Sequence, residues 1–201
     1  MAGRVVAIIS LVVVYMIGNV ESTDESKEWN PKPTEFISTL CKDTRYPEKC
    51  VKSLSRYGLQ VQKSEHKLAV AAVTLSESKT RLCAAFLKEN EKAEGTKHGN
   101  SSAVTDCVET ISDSAERLSE SIRELKGLDK ARGNAFLLRV SDVQTWVTAA
   151  LTDQNTCLDI LHGHEVDPKL KTNLTSRVTD ISEFTSIALA LVNRFASTQR
   201  T

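Results

Sequence analysis

Glycine and proline are scarce in this chain, eight and four in 201 residues, and so are aromatics, with two Trp, three Tyr and five Phe. Glycine plus proline reaches about half its usual share, which excludes a collagen-like rod and leaves a turn-rich β-sandwich or barrel unsupported. Helix is the default. Neither sign of charge is in excess, because 26 Lys and Arg balance 26 Asp and Glu. Neutrality removes the electrostatic term that dominates nucleic-acid binding and that an acidic polysaccharide, held directly, needs equally. A partner must be met by shape and local contacts, and the length favours one domain.

Only one long apolar run is present. After Arg4, the thirteen residues from Val5 to Ile17 carry polar side-chain atoms only at Ser10 and Tyr15. A transmembrane helix needs about 20 such residues, and this run gives way to Gly18-Asn19 and then to Glu21, Asp24, Glu25 and Glu28. Residues 1–22 read as a secretory signal peptide cleaved after Ser22, so the protein is expected outside the cell with no membrane attachment. Cleavage leaves 179 residues, still neutral, with a flexible segment over 23–33 and one domain over 34–198. The sequons Asn100-Ser-Ser and Asn173-Leu-Thr are candidate glycosylation sites in that compartment, whereas Asn155-Thr-Cys lacks the third-position hydroxyl.

Apolar residues then organise the chain. Val104, Val108, Ile111, Ala115, Leu118, Ile122 and Leu125 alternate steps of four and three up to Gly127, the pattern of an amphipathic helix with a glycine stop. Ser141 and Gln144 have capping-box spacing, and Val143, Val147, Ala150, Gln154, Cys157 and Leu161 repeat the alternation before Gly163. Asp167-Pro168 opens a third helix along Leu170, Leu174, Val178, Ile181, Phe184, Ala188, Leu191 and Phe195. Upstream, Ser64 opens a helix with Leu68, Ala72, Leu75, Leu82 and Phe86 on one stripe, interrupted by Lys79. The fold expected is all-α, an up-down-up-down four-helix bundle over 64–196. A short helical hairpin over 34–58 precedes it, the polar stretch Lys92 to Ser102 reads as an insert, and Leu128 to Val140 reads as a connection.

Five cysteines allow fifteen ways of making two bridges and leaving one thiol. Cys41 and Cys50 flank the hairpin turn. Cys107 near the start of its helix and Cys157 near the end of the next come level when the two pack antiparallel. With a rise of about 1.5 Å per residue, Cys83 misses the level of Cys107 by roughly 7 Å and is left as the free thiol.

Catalytic patterns are missing. The histidines are His66, His98, His162 and His164, with no two placed on one helical face around a glutamate, and His162-Gly163-His164 falls at a helix end where imidazoles serve the last carbonyls. There is no Cys-x-x-Cys and no phosphate-cradling glycine loop, while Gly99-Asn-Ser-Ser-Ala only mimics a nucleophile elbow. The chain is therefore read as a non-enzyme without cofactor or metal. Asp106, Glu109, Asp113 and Glu116 on one helix, and Asp153, Asn155, Thr156 and Asp159 on the next, lie off the apolar stripes.

Several segments resemble the plant invertase and pectin methylesterase inhibitor family over nearly the whole mature chain. They are Phe36-Ile-Ser-Thr-Leu-Cys41 with Thr44-Arg-Tyr-Pro-Glu-Lys-Cys50, Asp106 to Ser114, Val143 to Asp159, and Ala188-Leu-Ala-Leu-Val192. The resemblance implies a protein inhibitor in the plant cell wall, with bridges Cys41 to Cys50 and Cys107 to Cys157. It places partner contacts at Glu109, Asp113, Glu116, Asn155, Thr156 and Asp159. The partner implied is pectin methylesterase, whose pectin-binding cleft the bundle would cover. Acid invertase is the alternative, and the Pro-Lys-Phe segment of that branch has no counterpart in Asn30-Pro-Lys-Pro33 or Asp167-Pro-Lys-Leu170. An extracellular signalling ligand is a further alternative. A carrier of small apolar molecules is disfavoured, since stripes that alternate large and small residues describe filled layers.

Overall fold

In the computed structural model, which describes residues 31–94, 101–128 and 131–199, every regular element among those residues is helical. In chain order these are α1 (Pro31–Cys41), α2 (Pro47–Leu54), a 3-10 turn Ser55–Tyr57 running into a single turn Gly58–Val61, and then α3 (Glu65–Glu94), α4 (Ser101–Gly127), α5 (Gly133–Gly163) and α6 (Pro168–Thr198). Contacts divide the chain into Met1–Asn30 and Pro31–Thr201. The signal peptide expected over 1–22 and most of the segment expected over 23–33 lie outside the described residues.

Helices α3 to α6 form the bundle, each beside its sequence neighbours and α6 closing back on α3. Two helix starts follow from their caps. The Ser64 hydroxyl accepts from Lys67 N at 3.2 Å, and the Asp167 carboxylate accepts from Lys169 N and Leu170 N at 3.1 and 3.0 Å with Pro168 beginning the helix.

α5 begins nine residues earlier than a cap at Ser141 indicates, so the expected connection from Leu128 to Val140 is short. Arg132 at its N-cap gives no side-chain cap, and Gly133 has φ +55°, a left-handed conformation that favours glycine. Tertiary contacts hold these two extra turns. Phe136 meets Phe195 edge-on with centroids 5.9 Å apart, and Arg139 donates to Glu124 at 2.7 Å and to the Gly127 carbonyl at 3.2 Å. Ser141 itself is exposed, inside the helix. Likewise α3 runs to Glu94 and α4 starts at Ser101, so helix takes both ends of the expected insert; residues 95–100 lie outside the described residues.

The core is two apolar clusters. One joins the hairpin residues Ile37, Leu40 and Leu54 to Leu68, Leu118, Val147 and Val192, and the other gathers Cys83, Leu87, Val104, Ile111, Leu161 and Leu174 at the opposite end. Full burial of such a side chain contributes about 1.5–3 kcal/mol, against at most about 1 kcal/mol for an exposed ion pair. Packing of these stripes therefore holds the bundle. Between the clusters lies a belt of buried polar residues drawn from all four bundle helices, namely Ser76 and Thr80, Ser114, Gln154, and Thr185.

The apolar stripe expected on α3 is corrected. Leu82 is 69% exposed, and Leu75 and Phe86 are half-buried; the buried line runs through Leu68, Ala69, Ala72, Val73, Ser76, Thr80, Cys83, Ala84 and Leu87. Disulfide Cys41–Cys50 closes the hairpin and Cys107–Cys157 joins α4 to α5. No helix among the described residues is long and apolar enough to cross a membrane.

Candidate partner-binding face

The register of α4 against α5 is fixed by covalent and polar links. The Cys107–Cys157 bridge has Cα atoms 4.8 Å apart, and two turns along the Ser114 hydroxyl donates to the Ala150 carbonyl at 3.0 Å. Both links belong to one antiparallel register, which sets Glu109 level with Asn155. With Cys107, Ile111, Ser114, Ala150, Gln154 and Cys157 buried, helical periodicity turns the intervening residues outward. Glu109, Asp113, Glu116, Asn155, Thr156 and Asp159 are all exposed. The fold thus brings these six onto the outer side of two adjoining helices.

The side chains of Glu109, Asp113, Glu116, Asn155 and Asp159 make no hydrogen bond or ion pair among the described residues. Arg117 is the local cation, and its Nε donates to Asp153 at 2.8 Å. Burial raises the Asp153 carboxyl above its ordinary value; Arg117 pulls the other way, and the Asp113 charge adds to the rise.

Threonines complete the surface. Thr145, Thr148, Thr152 and Thr156 each donate their hydroxyl to the carbonyl four residues back, at 2.7 to 3.1 Å. The last three form an exposed line at steps of four, with their hydrogens spent on the backbone. Such a surface is flat, has few rotamers to lose, and offers methyl groups beside a row of carboxylates. Arg117 and this line were not singled out from the sequence, although the four-residue spacing of the threonines was a readable signal.

The other expected site residues are dispersed. Cys83 is a free, buried thiol raised to about 11 by burial, with Asp180 adding to the rise and Arg177 opposing it. Asn173 is exposed on α6, and its side-chain oxygen accepts from Arg177 Nε at 3.2 Å; Asn100 lies outside the described residues. His162 and His164 end α5, where the His164 ring nitrogen Nδ1 donates to Ile160 O at 3.0 Å and Lys171 Nζ donates to both histidine carbonyls at 3.2 Å. Among the described residues no three His, Cys, Asp or Glu side chains gather as metal ligands.

Two disulfides staple a helical bundle whose adjoining helices α4 and α5 carry an exposed polar row. The chain belongs to the plant invertase/pectin methylesterase inhibitor family, whose model matches residues 35–191. It is 42% identical over 163 residues to a 21 kDa protein of Daucus carota, covering 81% of this chain and 84% of that one. It is 37% identical to pectinesterase inhibitor 11 of Arabidopsis thaliana, covering 80% of each, and 33% identical to pectinesterase inhibitor 9, covering 94% and 93%. Its fold is that of a mutant form of a pectin methylesterase inhibitor from Arabidopsis, known from its crystal structure, with TM-score 0.60 at 22% identity over 78% of this chain and 95% of that one.

Proposed function

We propose that the chain is a secreted, non-catalytic inhibitor of pectin methylesterase that lays its α4/α5 face over the enzyme's pectin-binding cleft in a reversible complex. The observation that carries this reading is the exposed face itself, where carboxylates without partners adjoin threonines whose hydroxyls are already satisfied. Docking there costs little side-chain entropy and leaves no buried hydroxyl unpaired. The printed names of the Arabidopsis relatives support the choice of enzyme. An invertase partner is not favoured, since those relatives are pectinesterase inhibitors and Pro-Lys-Phe does not occur in the chain. The apolar run from Val5 to Ile17 supports export to the cell wall. Glu109, Asp113, Glu116, Asn155, Thr156 and Asp159 are the contacts assigned.

The test is a titration of the mature protein against a plant pectin methylesterase and a plant acid invertase. Loss of methylesterase activity at stoichiometric inhibitor, with invertase unaffected, is the expected outcome. Inhibition of invertase alone overturns the reading.

A further inference from the structure

We propose that Gln154 is a positioning residue, whose buried amide clamps α5 to α4 beneath the inhibitory face and holds Glu109, Asp113, Asn155 and Thr156 in docking register. The inference rests on the reading of that face as inhibitory. Gln154 is fully buried near the centre of the bundle. Its Nε2 donates to Ser114 Oγ on α4 at 2.9 Å and to Thr80 Oγ1 on α3, the helix diagonally opposite, at 3.3 Å. The two hydroxyls spend their own hydrogens elsewhere, Ser114 on Ala150 O at 3.0 Å and Thr80 on Ser76 O at 2.9 Å. They act on Gln154 only as acceptors, which fixes the amide with its nitrogen toward them.

The remaining atom is what separates positioning from simple stabilisation. Among the described residues Gln154 Oε1 is buried with no hydrogen-bond partner, and an orphaned carbonyl in a core is a net cost. An apolar side chain of similar volume would fill the space without that cost. Stability alone does not account for glutamine here, whereas a fixed rotation of α5 does. Asp153 and Asn155 flank Gln154, and Asp113 precedes Ser114, so the amide link lies directly under the face. Exposed side chains sit about 5 Å from a helix axis, and a roll of about 20° displaces them by about 2 Å, enough to spoil a close-packed protein interface. The Cys107–Cys157 bridge restrains α5 two turns along from Ser114, and the Gln154 clamp restrains it below Asp113 and Asn155.

Gln154→Met tests the proposal in the mature protein, read by methylesterase inhibition, thermal midpoint and hydrogen exchange. We expect inhibition weakened by roughly tenfold, an unchanged or higher midpoint, and faster exchange over 109–116 and 152–159 with α6 unaltered. Ser114→Ala removes the acceptor and also the Ser114–Ala150 link, so it should weaken inhibition at least as much as Gln154→Met, and the double variant should lose no more than Ser114→Ala alone. Full inhibition by Gln154→Met with a native midpoint overturns the proposal, as does a loss of inhibition that only tracks a falling midpoint in both variants. A wild-type protein that fails to inhibit the esterase refutes the functional reading instead, and the exchange pattern then judges the clamp alone.

Discussion

Lys49 and Asp180 join the disulfide hairpin to the last bundle helix, the Lys49 ammonium lying 2.5 Å from Asp180 Oδ1. Glu183 accepts from the same ammonium at 2.5 Å, and Lys79 on α3 reaches Asp180 at 3.3 Å. Both ammoniums also sit over the Phe184 ring, at 4.5 and 4.4 Å from its centroid. Burial pulls Lys49 down, yet its bonds to Asp180 and Glu183 outweigh that and hold it above its ordinary value. Burial pushes Asp180 up, and Lys49 with Lys79 overcomes this to hold it below the usual carboxylate range.

Lys49→Ala should therefore loosen the hairpin, costing about 1 kcal/mol after allowance for solvent screening, or about 2–4 °C in thermal midpoint. Asp180 has its folded value depressed, so its contribution is present above the ordinary carboxylate value and is lost as pH falls through the folded one. Lys49, raised, contributes below its ordinary value and loses that only as pH rises through the folded one. Wild type and variant should differ at neutral pH and converge at strongly acid pH. Melting curves at both pH values check this, and a constant gap would show that the pair does not govern docking of the hairpin.

The covalent links differ in worth. A bridge across a sequence separation of 50 is expected to stabilise by about 4 kcal/mol on the chain-entropy model, and the hairpin bridge across 9 by somewhat under 3 kcal/mol. Cys157→Ser should accordingly lower the denaturation midpoint more than Cys50→Ser. Cys83, protonated at neutral pH and buried, should resist alkylation in the native protein and react on unfolding. Mass spectrometry of alkylated peptides reads both, and rapid native labelling of Cys83 would contradict the burial.

The stripes of α4, α5 and α6 were legible because apolar residues occupy their steps of four and three. That of α3 was not, for two physical reasons. Its buried line includes Ser76 and Thr80, which read as polar breaks until Thr185 and Gln154 supply their partners. Second, small residues, Ala69, Ala72 and Ala84, hold buried positions, while the larger Leu75 and Leu82, on a seven-residue step from Leu68, imitate a stripe. The start of α5 was hidden because Ser141 and Gln144 imitate a cap, while the true start depends on contacts of Phe136 and Arg139 with distant residues. Of the candidate face, the exposed positions followed from the stripes, but the Arg117–Asp153 pair needed the register of two helices.

Thr156→Trp should abolish or strongly weaken methylesterase inhibition, because a bulky ring on a flat face prevents close approach. Thr156 is exposed, so the stability change should stay within about 0.5 kcal/mol. Leu82→Arg on α3 serves as the control, exposed and away from α4 and α5, and should inhibit normally. Titration of one esterase with both variants decides it; full inhibition by Thr156→Trp would move the site off this face.

Binding to the esterase should weaken as pH passes from mildly acidic toward neutral. Burial already raises the Asp153 carboxyl, with Arg117 opposing and Asp113 reinforcing, and docking removes more water from the same face. Further desolvation of Asp153 on docking favours its neutral form more strongly. The complex then holds protons that the free proteins lack, and linkage makes it tighter at low pH and looser as pH rises through the raised values. Affinity measured at several pH values checks this, and a flat profile, or a complex that tightens as pH rises, would show that Asp153 does not control docking.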